Sequence, residues 1–215
     1  NIPVIEDSAQ GHGGSLNDRR IGSFGDIATF SFFPSKNMAV GGDGGAIITT
    51  RQDLATPIRL FIDHGRTDKY RNDVLGTNFR LSEIQCGIGR SQLKHLDRWV
   101  ERRNEIAHRY LESLVETEVV LPKIRPGAIH AWHQFVLRVS NRDSFIDHMS
   151  NHGISTGIHY PIALPKLKAY HYLVQQDEDF FANRSDTQVL SLPIGEHLDY
   201  NSLSTISEKI FFYHD

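Results

Sequence analysis

The chain has 215 residues, with 23 Lys and Arg against 26 Asp and Glu, which gives a formal net charge of −3. This small negative balance excludes a general nucleic-acid binder, which needs excess cations to displace counterions from phosphates. No apolar run approaches the roughly 20 residues that cross a bilayer, so we expect no membrane partner. The single cysteine, Cys86, has no partner for an internal disulfide, which favours a cytoplasmic setting. The 12 histidines show no metal-site spacing, so we expect no metal.

The start of the chain is unusual, because it lacks Met and enters an apolar segment within three residues. It also lacks the basic stretch and cleavage site of a secretory signal. Natural termini usually open with a few loose polar residues. We therefore expect the interior of a longer protein, with a processed terminus as the alternative.

The first half alternates short apolar runs with glycine-rich turns. Residues 3–6, 27–32 and 46–50 are predicted to be strands, because they are short apolar runs, and the last two are rich in β-branched and aromatic side chains and bounded by Gly or Pro. Strands that are apolar on both faces are typical of a sheet covered on both sides.

Helical signals follow the third strand. A short helix is predicted over 54–62, then a polar loop over 63–78. Ser82 and Gln85 have the spacing of a capping box, which predicts a helix start. Apolar positions keep helical spacing from there to about residue 115, as one long helix or as two helices joined near Lys94.

The second half changes character. Strands are predicted over 132–140 and 157–160, and helices over 144–151, 184–189 and 202–213. Gly153 is a natural residue to end the helix over 144–151. The order of strand, helix, strand and helix predicts a small α+β domain. The expected domains are therefore residues 1–115 and residues 116–215.

Lys36 is the leading candidate for a catalytic residue. It follows a predicted strand at a Pro-Ser-Lys turn and precedes a glycine-rich loop. A lysine that attacks a carbonyl must be positioned and partly desolvated, and this setting is unlike that of an ordinary surface lysine. A P-loop is excluded, because the glycines follow the lysine instead of preceding it.

Asp7 ends the first predicted strand. Side chains at the carboxyl ends of strands in α/β sheets face the ligand crevice. A carboxylate there suits a protonated pyridine nitrogen, the pairing that keeps pyridoxal 5′-phosphate (PLP) an electron sink. A helix N-cap for the next segment is the alternative role of Asp7.

Several motifs in order resemble the DegT/DnrJ/StrS family of fold-type I PLP-dependent enzymes, mostly aminotransferases of nucleotide-linked keto-sugars. They comprise residues 4–10 (Val-Ile-Glu-Asp-Ser-Ala-Gln), 22–26 (Gly-Ser-Phe-Gly-Asp), 31–37 (Ser-Phe-Phe-Pro-Ser-Lys-Asn), 42–45, 64–66, 69–70, 76–85, 95–99, 158–161 and 190–193. The resemblance implies an α/β fold: the C-terminal part of the PLP-binding large domain, with a mixed, mainly parallel sheet, followed by the small α+β domain. It also implies about 150 preceding residues that complete the cofactor site.

The resemblance assigns roles to five residues. It makes Lys36 the lysine of the internal aldimine and the carrier of the proton, and Asp7 the partner of the pyridine nitrogen. It places Gln10 beside the ring near O3′ and gives the Ser31 hydroxyl to the cofactor phosphate. It implies that Asn78 reaches the phosphate of the neighbouring subunit, and hence a homodimer with shared active sites. The role of His12 is left open.

The resemblance further implies transfer of an amino group from an amino acid donor, usually glutamate, to a nucleotide-linked keto-sugar. Family dehydratases carry histidine in place of the lysine, so Lys36 favours transamination. Arg66, Lys69 and Arg80 are candidates to contact the anionic nucleotide, with surface ion pairing as the alternative. A catalytically silent homologue that acts as a binding or partner subunit is the alternative function.

Overall fold

The structure is a computed structural model, and it describes residues 2–213. The chain forms two compact units. The first comprises the residues up to Glu101 together with Arg125–His133, and the second comprises Arg102–Ile124 and Gln134 onwards. The division of the chain into domains 1–115 and 116–215 stays a prediction, because compact units defined by contacts need not coincide with domains.

The first unit is built on a three-stranded mixed sheet. Its strands are β1 (Ile5–Asp7), β4 (Ile27–Ser31) and β5 (Gly45–Ile48), with β4 in the centre. β1 runs parallel to β4, and β5 runs antiparallel to it. The three strands lie where the sequence predicts them, within two residues at each end.

Several apolar side chains of this sheet are not covered by the residues that the structure describes. Ile5 is 73% exposed, Ile47 47% and Ile48 49%. The apolar pattern predicts coverage of both faces, and the described part of the chain does not supply it. By contrast, Ala28 of the central strand is 1% exposed.

The first unit also contains short antiparallel strands, which lie outside the three-stranded mixed sheet. β2 (Ser15–Leu16) pairs with both β3 (Arg19–Arg20) and β8 (Ala128–Ile129). A small hairpin, β6 (Arg66–Asp68) and β7 (Arg71–Asn72), interrupts the segment predicted to be a polar loop. These two- and three-residue strands carry no hydrophobic period, so the sequence pattern does not reveal them.

The helices begin near the predicted positions. α1 spans Gln52–Ile62, α2 spans Glu83–Leu93 and α3 spans Leu96–Ser113, so the long helical pattern is two helices. The predicted capping box is present: the Ser82 hydroxyl accepts from the Gln85 amide at 3.3 Å. None of the helices within residues 2–213 combines the length and apolar character that crossing a bilayer requires.

In the second unit, β9 (Phe135–Arg138) pairs antiparallel with β10 (Val189–Leu192). The helices are α4 (Arg142–Asn151), α5 (Phe181–Ser185) and α6 (Tyr200–Phe211), and two 3₁₀ turns cover Leu164–Lys166 and Lys168–Leu173. Asn141 caps α4 and Asp199 caps α6 by accepting from the amides of Ser144 and Ser202.

Two predictions in this unit are wrong. The strand expected over 157–160 is a single bridge between Gly157 and Ser191, because Pro161 follows closely and stops a ladder. The helix expected over 184–189 ends at Ser185, and Val189 already begins β10. Val189, Leu190 and Leu192 favour the strand β10, and this preference outweighs the helical pattern of the residues before it.

The second unit has a closed core. Tyr110 of α3 packs its ring 5.0 Å from that of Phe135, and its hydroxyl donates to the Pro193 carbonyl at 2.9 Å. Leu190 and Ile210 are 0% and 1% exposed. At about 25 cal/mol per Å² of buried apolar area, such side chains each stabilise the unit by about 1.5–3 kcal/mol.

Candidate functional site

Asp7 and Ser31 lie at the same edge of the three-stranded sheet. Because β1 and β4 are parallel, with Asp7 opposite Thr29, both strands end on this edge, and Ser31 lies two residues beyond that pair. Asp7 is exposed and its Oδ1 accepts from the Ala9 amide at 3.1 Å. That contact is a local turn, related to the capping role that the sequence leaves open. Gln10, three residues further on, is also exposed.

The turn that carries Lys36 leaves this edge directly after β4. The Lys36 amide donates to the Phe33 carbonyl at 2.9 Å, which closes the turn. Lys36 is half-buried. The next residue, Asn37, is 6% exposed and donates to the Ala131 carbonyl at 2.6 Å. A buried amide in this position anchors the turn, and so fixes the backbone from which the Lys36 side chain projects.

His12 lies close to Lys36 and is 3% exposed. Its ring packs edge-on against Phe30 with centroids 5.2 Å apart, and it lines an apolar cavity of 350 Å³. Burial, followed by the charge of the neighbouring Lys36, lowers the pKa of His12 from 6.5 to about 4. His12 is therefore neutral at physiological pH, and it adds no second positive charge next to the lysine.

Glu6 is a site residue that the sequence analysis missed. Its carboxylate accepts from the backbone amides of Phe24 at 2.9 Å and Gly25 at 3.2 Å, and also from Gly22. Although burial opposes the shift, these backbone bonds lower the pKa of Glu6. Glu6 thereby holds the loop over residues 22–25 against β1, the strand that ends in Asp7. The available signal was an acidic residue inside an apolar strand, followed by a Gly-Ser-Phe-Gly segment.

Asn78 makes its described contacts elsewhere in the first unit. It forms an isolated bridge with Asp63, and its Oδ1 accepts from Nε of Arg80 at 3.0 Å. Arg66 and Arg80 both pair with Asp63, at 2.7 and 3.1 Å. This is the ion pairing that the sequence leaves open for the two arginines. Asp7 and Ser31 thus lie at one end of the sheet, Gln10 and Lys36 lie in the segments that follow their strands, and Asn78 lies in a separate charged cluster.

The sequence matches a known family over almost its whole length. The profile described as the DegT/DnrJ/EryC1/StrS aminotransferase family matches residues 1–211. A relative from Saccharopolyspora erythraea, named erythromycin biosynthesis sensory transduction protein EryC1, is 42% identical over 199 residues, which are 92% of this chain and 54% of that protein. The dTDP-3-amino-3,4,6-trideoxy-alpha-D-glucose transaminase of Streptomyces venezuelae is 39% identical over 92% of this chain and 53% of its own length. The chain thus spans about half the length of these curated relatives.

Solved structures agree with the sequence match. DesV of S. venezuelae, solved in complex with a ketimine intermediate, superposes with a TM-score of 0.94 at 36% identity, over 100% of this chain and 59% of that one. An aminotransferase from Brucella abortus superposes at 0.90 with 31% identity, over 97% of this chain and 56% of that one. The predicted fold class, the C-terminal part of a fold-type I large domain followed by a small α+β region, is confirmed. The chain belongs to the DegT/DnrJ/EryC1/StrS aminotransferase family.

Proposed function

We propose that the protein carrying this chain is a PLP-dependent aminotransferase, which moves an amino group from an amino acid donor to a nucleotide-linked keto-sugar. The observation that carries the proposal is the parallel pairing of β1 and β4, which puts the carboxylate of Asp7 and the hydroxyl of Ser31 at the same end of the sheet. The segments that follow these two strands carry Gln10 and Lys36. Relatives of the chain are named sugar transaminases.

The donor set suits the cofactor. PLP presents a pyridine nitrogen that needs an anion, a phosphate that needs hydrogen-bond donors, and an aldehyde carbon that needs an amine. Asp7 would hold the nitrogen, the Ser31 hydroxyl would donate to the phosphate, and the Lys36 amine would hold the cofactor and carry the proton. Gln10 would lie beside the ring. When bound, the cofactor supplies the electron sink for breaking the bond to hydrogen at the carbon that bears nitrogen.

The surroundings of Lys36 suit proton transfer. Its turn is anchored by the buried Asn37 amide, which limits movement of the amine. The neutral His12 next to it does not repel a proton arriving at the lysine. A base that alternates between charged and neutral forms benefits from such a half-buried, fixed position.

The fifth residue, Asn78, is proposed to donate to the cofactor phosphate of a neighbouring subunit, which makes the protein a homodimer with shared sites. Glutamate is the expected donor. We place the protein in the cytoplasm, where its single cysteine stays reduced. The catalytically silent alternative finds no support in the site, because the expected lysine is present at position 36.

A binding and turnover experiment on the intact protein tests the proposal. We expect PLP to produce an absorbance band of the lysine-bound cofactor, and glutamate to discharge that band. Lys36→Ala should abolish both signals and lower the amino-transfer rate by at least about 10³-fold, since nucleophile and proton carrier are lost together.

The matched control is Lys123→Ala, which removes an exposed lysine and should leave both signals intact. A Lys36→Ala protein that retains the band and turns over at the wild-type rate contradicts the proposal. A wild-type protein that binds PLP but transfers no amino group favours the silent alternative.

A further inference from the structure

The segment that leads to Asn78 is held against the end of α1 by a close backbone approach. Gly65 has φ +68°, a left-handed conformation that favours glycine. A Cβ on Gly76 would lie 2.6 Å from the carbonyl carbon of His64 and would also collide with the Gly65 amide nitrogen. Glycine at 76 therefore lets the two backbones touch.

This close approach allows a short ladder of backbone hydrogen bonds. The His64 amide donates to the Thr77 carbonyl at 3.0 Å, and the Thr77 amide donates to the Phe61 carbonyl at 2.7 Å. The Phe79 amide donates to the Ile62 carbonyl at 3.0 Å. The ladder places Asn78 directly opposite Asp63 and fixes its backbone.

The Asn78 side chain is oriented by Arg80. Nε of Arg80 is a donor only, so its partner at 3.0 Å must be the amide oxygen of Asn78. This removes the ambiguity between the amide oxygen and nitrogen. With its oxygen engaged, the amide presents its NH₂ group as the end available to an acceptor.

Asp63 in turn holds Arg80. Its Oδ1 lies 3.1 Å from Nη1 of Arg80 and 2.7 Å from Nη2 of Arg66. The hydrogen bond from Arg66 is the main cause that lowers the pKa of Asp63, so the carboxylate is charged at neutral pH. One carboxylate thus fixes the guanidinium whose Nε orients Asn78.

We propose that Arg80, held by Asp63, is a positioning residue that fixes the Asn78 amide so that its NH₂ group donates to the phosphate of the cofactor. The inference rests on the proposed function, which gives Asn78 to that phosphate. It assigns Arg80 a role through Asn78, in place of a direct contact with the sugar nucleotide. The guanidinium of Arg80 is engaged by Asp63 through Nη1 and by Asn78 through Nε, which suits an orienting role.

The test compares PLP with pyridoxal, which has the same aldehyde but no phosphate. Dissociation constants for both are measured on the intact protein by titrating the absorbance of the bound form. Arg80→Gln should weaken PLP binding about 10-fold, the equivalent of one charge-assisted hydrogen bond, and leave pyridoxal binding unchanged. Asn78→Ala should do the same.

Three further variants separate positioning from other roles. Arg80→Lys keeps the charge but loses the fork that reaches Asp63 and Asn78 together, so its PLP binding should stay weak. Combining Arg80→Gln with Asn78→Ala should cost no more than Asn78→Ala alone, because the two act as one unit. Arg71→Gln, which breaks the neighbouring Arg71–Asp73 pair, should leave the PLP to pyridoxal ratio unchanged.

Several outcomes overturn the inference while the proposed function stands. Wild-type PLP binding in Arg80→Gln would show that Arg80 plays no part in holding the phosphate. Full recovery in Arg80→Lys, or additive losses in the double variant, would indicate a direct contact of Arg80 with the phosphate. If Arg80→Gln fails to fold, Asp63→Asn provides the same test from the other side and should also weaken PLP selectively. Absence of PLP binding in the wild-type protein is the distinct result that removes the proposed function itself.

Discussion

Two of the sheets within residues 2–213, the β1–β4–β5 sheet of the first unit and the β9–β10 sheet of the second, treat similar apolar side chains in opposite ways. In the two-stranded sheet of the second unit, Phe135 and Leu190 are both 0% exposed. In the three-stranded sheet of the first unit, Ile5 is 73% exposed and Ile48 is 49% exposed. The second unit therefore contains its own stabilising core. The first unit carries the candidate site on a sheet whose apolar surface the described residues leave accessible, so its stability depends more on backbone ladders, loop anchors and further burial.

The largest expected effect is in the closed core. Phe135→Ala removes a fully buried ring that contacts Tyr110. The loss of transfer free energy, together with the cavity, should lower the free energy of unfolding by about 3–5 kcal/mol. Urea unfolding, followed by circular dichroism, measures this change.

The matched control lies in the exposed sheet. In the 215-residue chain by itself, Ile47→Ala truncates a side chain that is 47% exposed, so its cost should stay below about 1 kcal/mol. Equal losses for the two variants would contradict the contrast between the sheets. They would indicate that Ile47 is buried in the protein as it exists in solution.

The next effect concerns a backbone contact in the first unit. Gly76→Ala forces a Cβ into the His64 and Gly65 backbone, and should destabilise the unit by about 1–3 kcal/mol through strain. Gly87→Ala is the opposite case, because nothing lies within 4 Å of a Cβ there and the residue is in α2. Gly87→Ala should raise the free energy of unfolding by about 0.5–1 kcal/mol. Thermal unfolding should therefore show a lower melting temperature for Gly76→Ala and a higher one for Gly87→Ala.

The last effect is a pH slope from His12, which appears only below pH 6.5. Its pKa is lowered to about 4 in the folded chain, from 6.5 ordinarily, so between these values the unfolded state binds more protons. The free energy of unfolding should therefore fall as the pH drops from 6.5 towards 4, and the contribution is fully present above 6.5. His12→Gln should reduce the slope of the free energy of unfolding against pH by at most the amount that corresponds to one bound proton.

The control for this slope is His95→Gln, which removes an exposed histidine of the same unit and should leave the slope unchanged. Urea titrations at a series of pH values provide the comparison. An unchanged slope in His12→Gln would show that the ring is solvated rather than buried beside Lys36.

Periodicity and capping predict much of this fold. The strand that ends in Asp7 and the helix that begins after Ser82 follow from local signals, whereas the split of the long helical segment near Lys94 is one of two alternatives that the sequence leaves open. The wrong predictions lie where local and non-local preferences conflict. The run over 157–160 has strand composition, but it forms only one bridge, since Pro161 limits its pairing.

The candidate site is only partly accessible to sequence reasoning. Motif order points to Lys36 and Asp7, and the parallel pairing of β1 with β4 explains why Asp7 and the turn that follows Ser31 are at the same end of the sheet. The anchoring by Asn37 depends on a contact with Ala131, which lies 94 residues away in the sequence. The orientation of Asn78 by Arg80 is a local contact, but it depends on the geometry of the two side chains. No spacing rule encodes such contacts, so they required the three-dimensional structure.

The most direct test of the account is the site of cofactor attachment. The intact protein is incubated with PLP, reduced with borohydride, digested and analysed by peptide mass spectrometry. The account predicts a phosphopyridoxyl mass increment on the peptide that contains Lys36, and loss of that increment in Lys36→Ala. An increment on a different lysine, or none on any peptide, would contradict it.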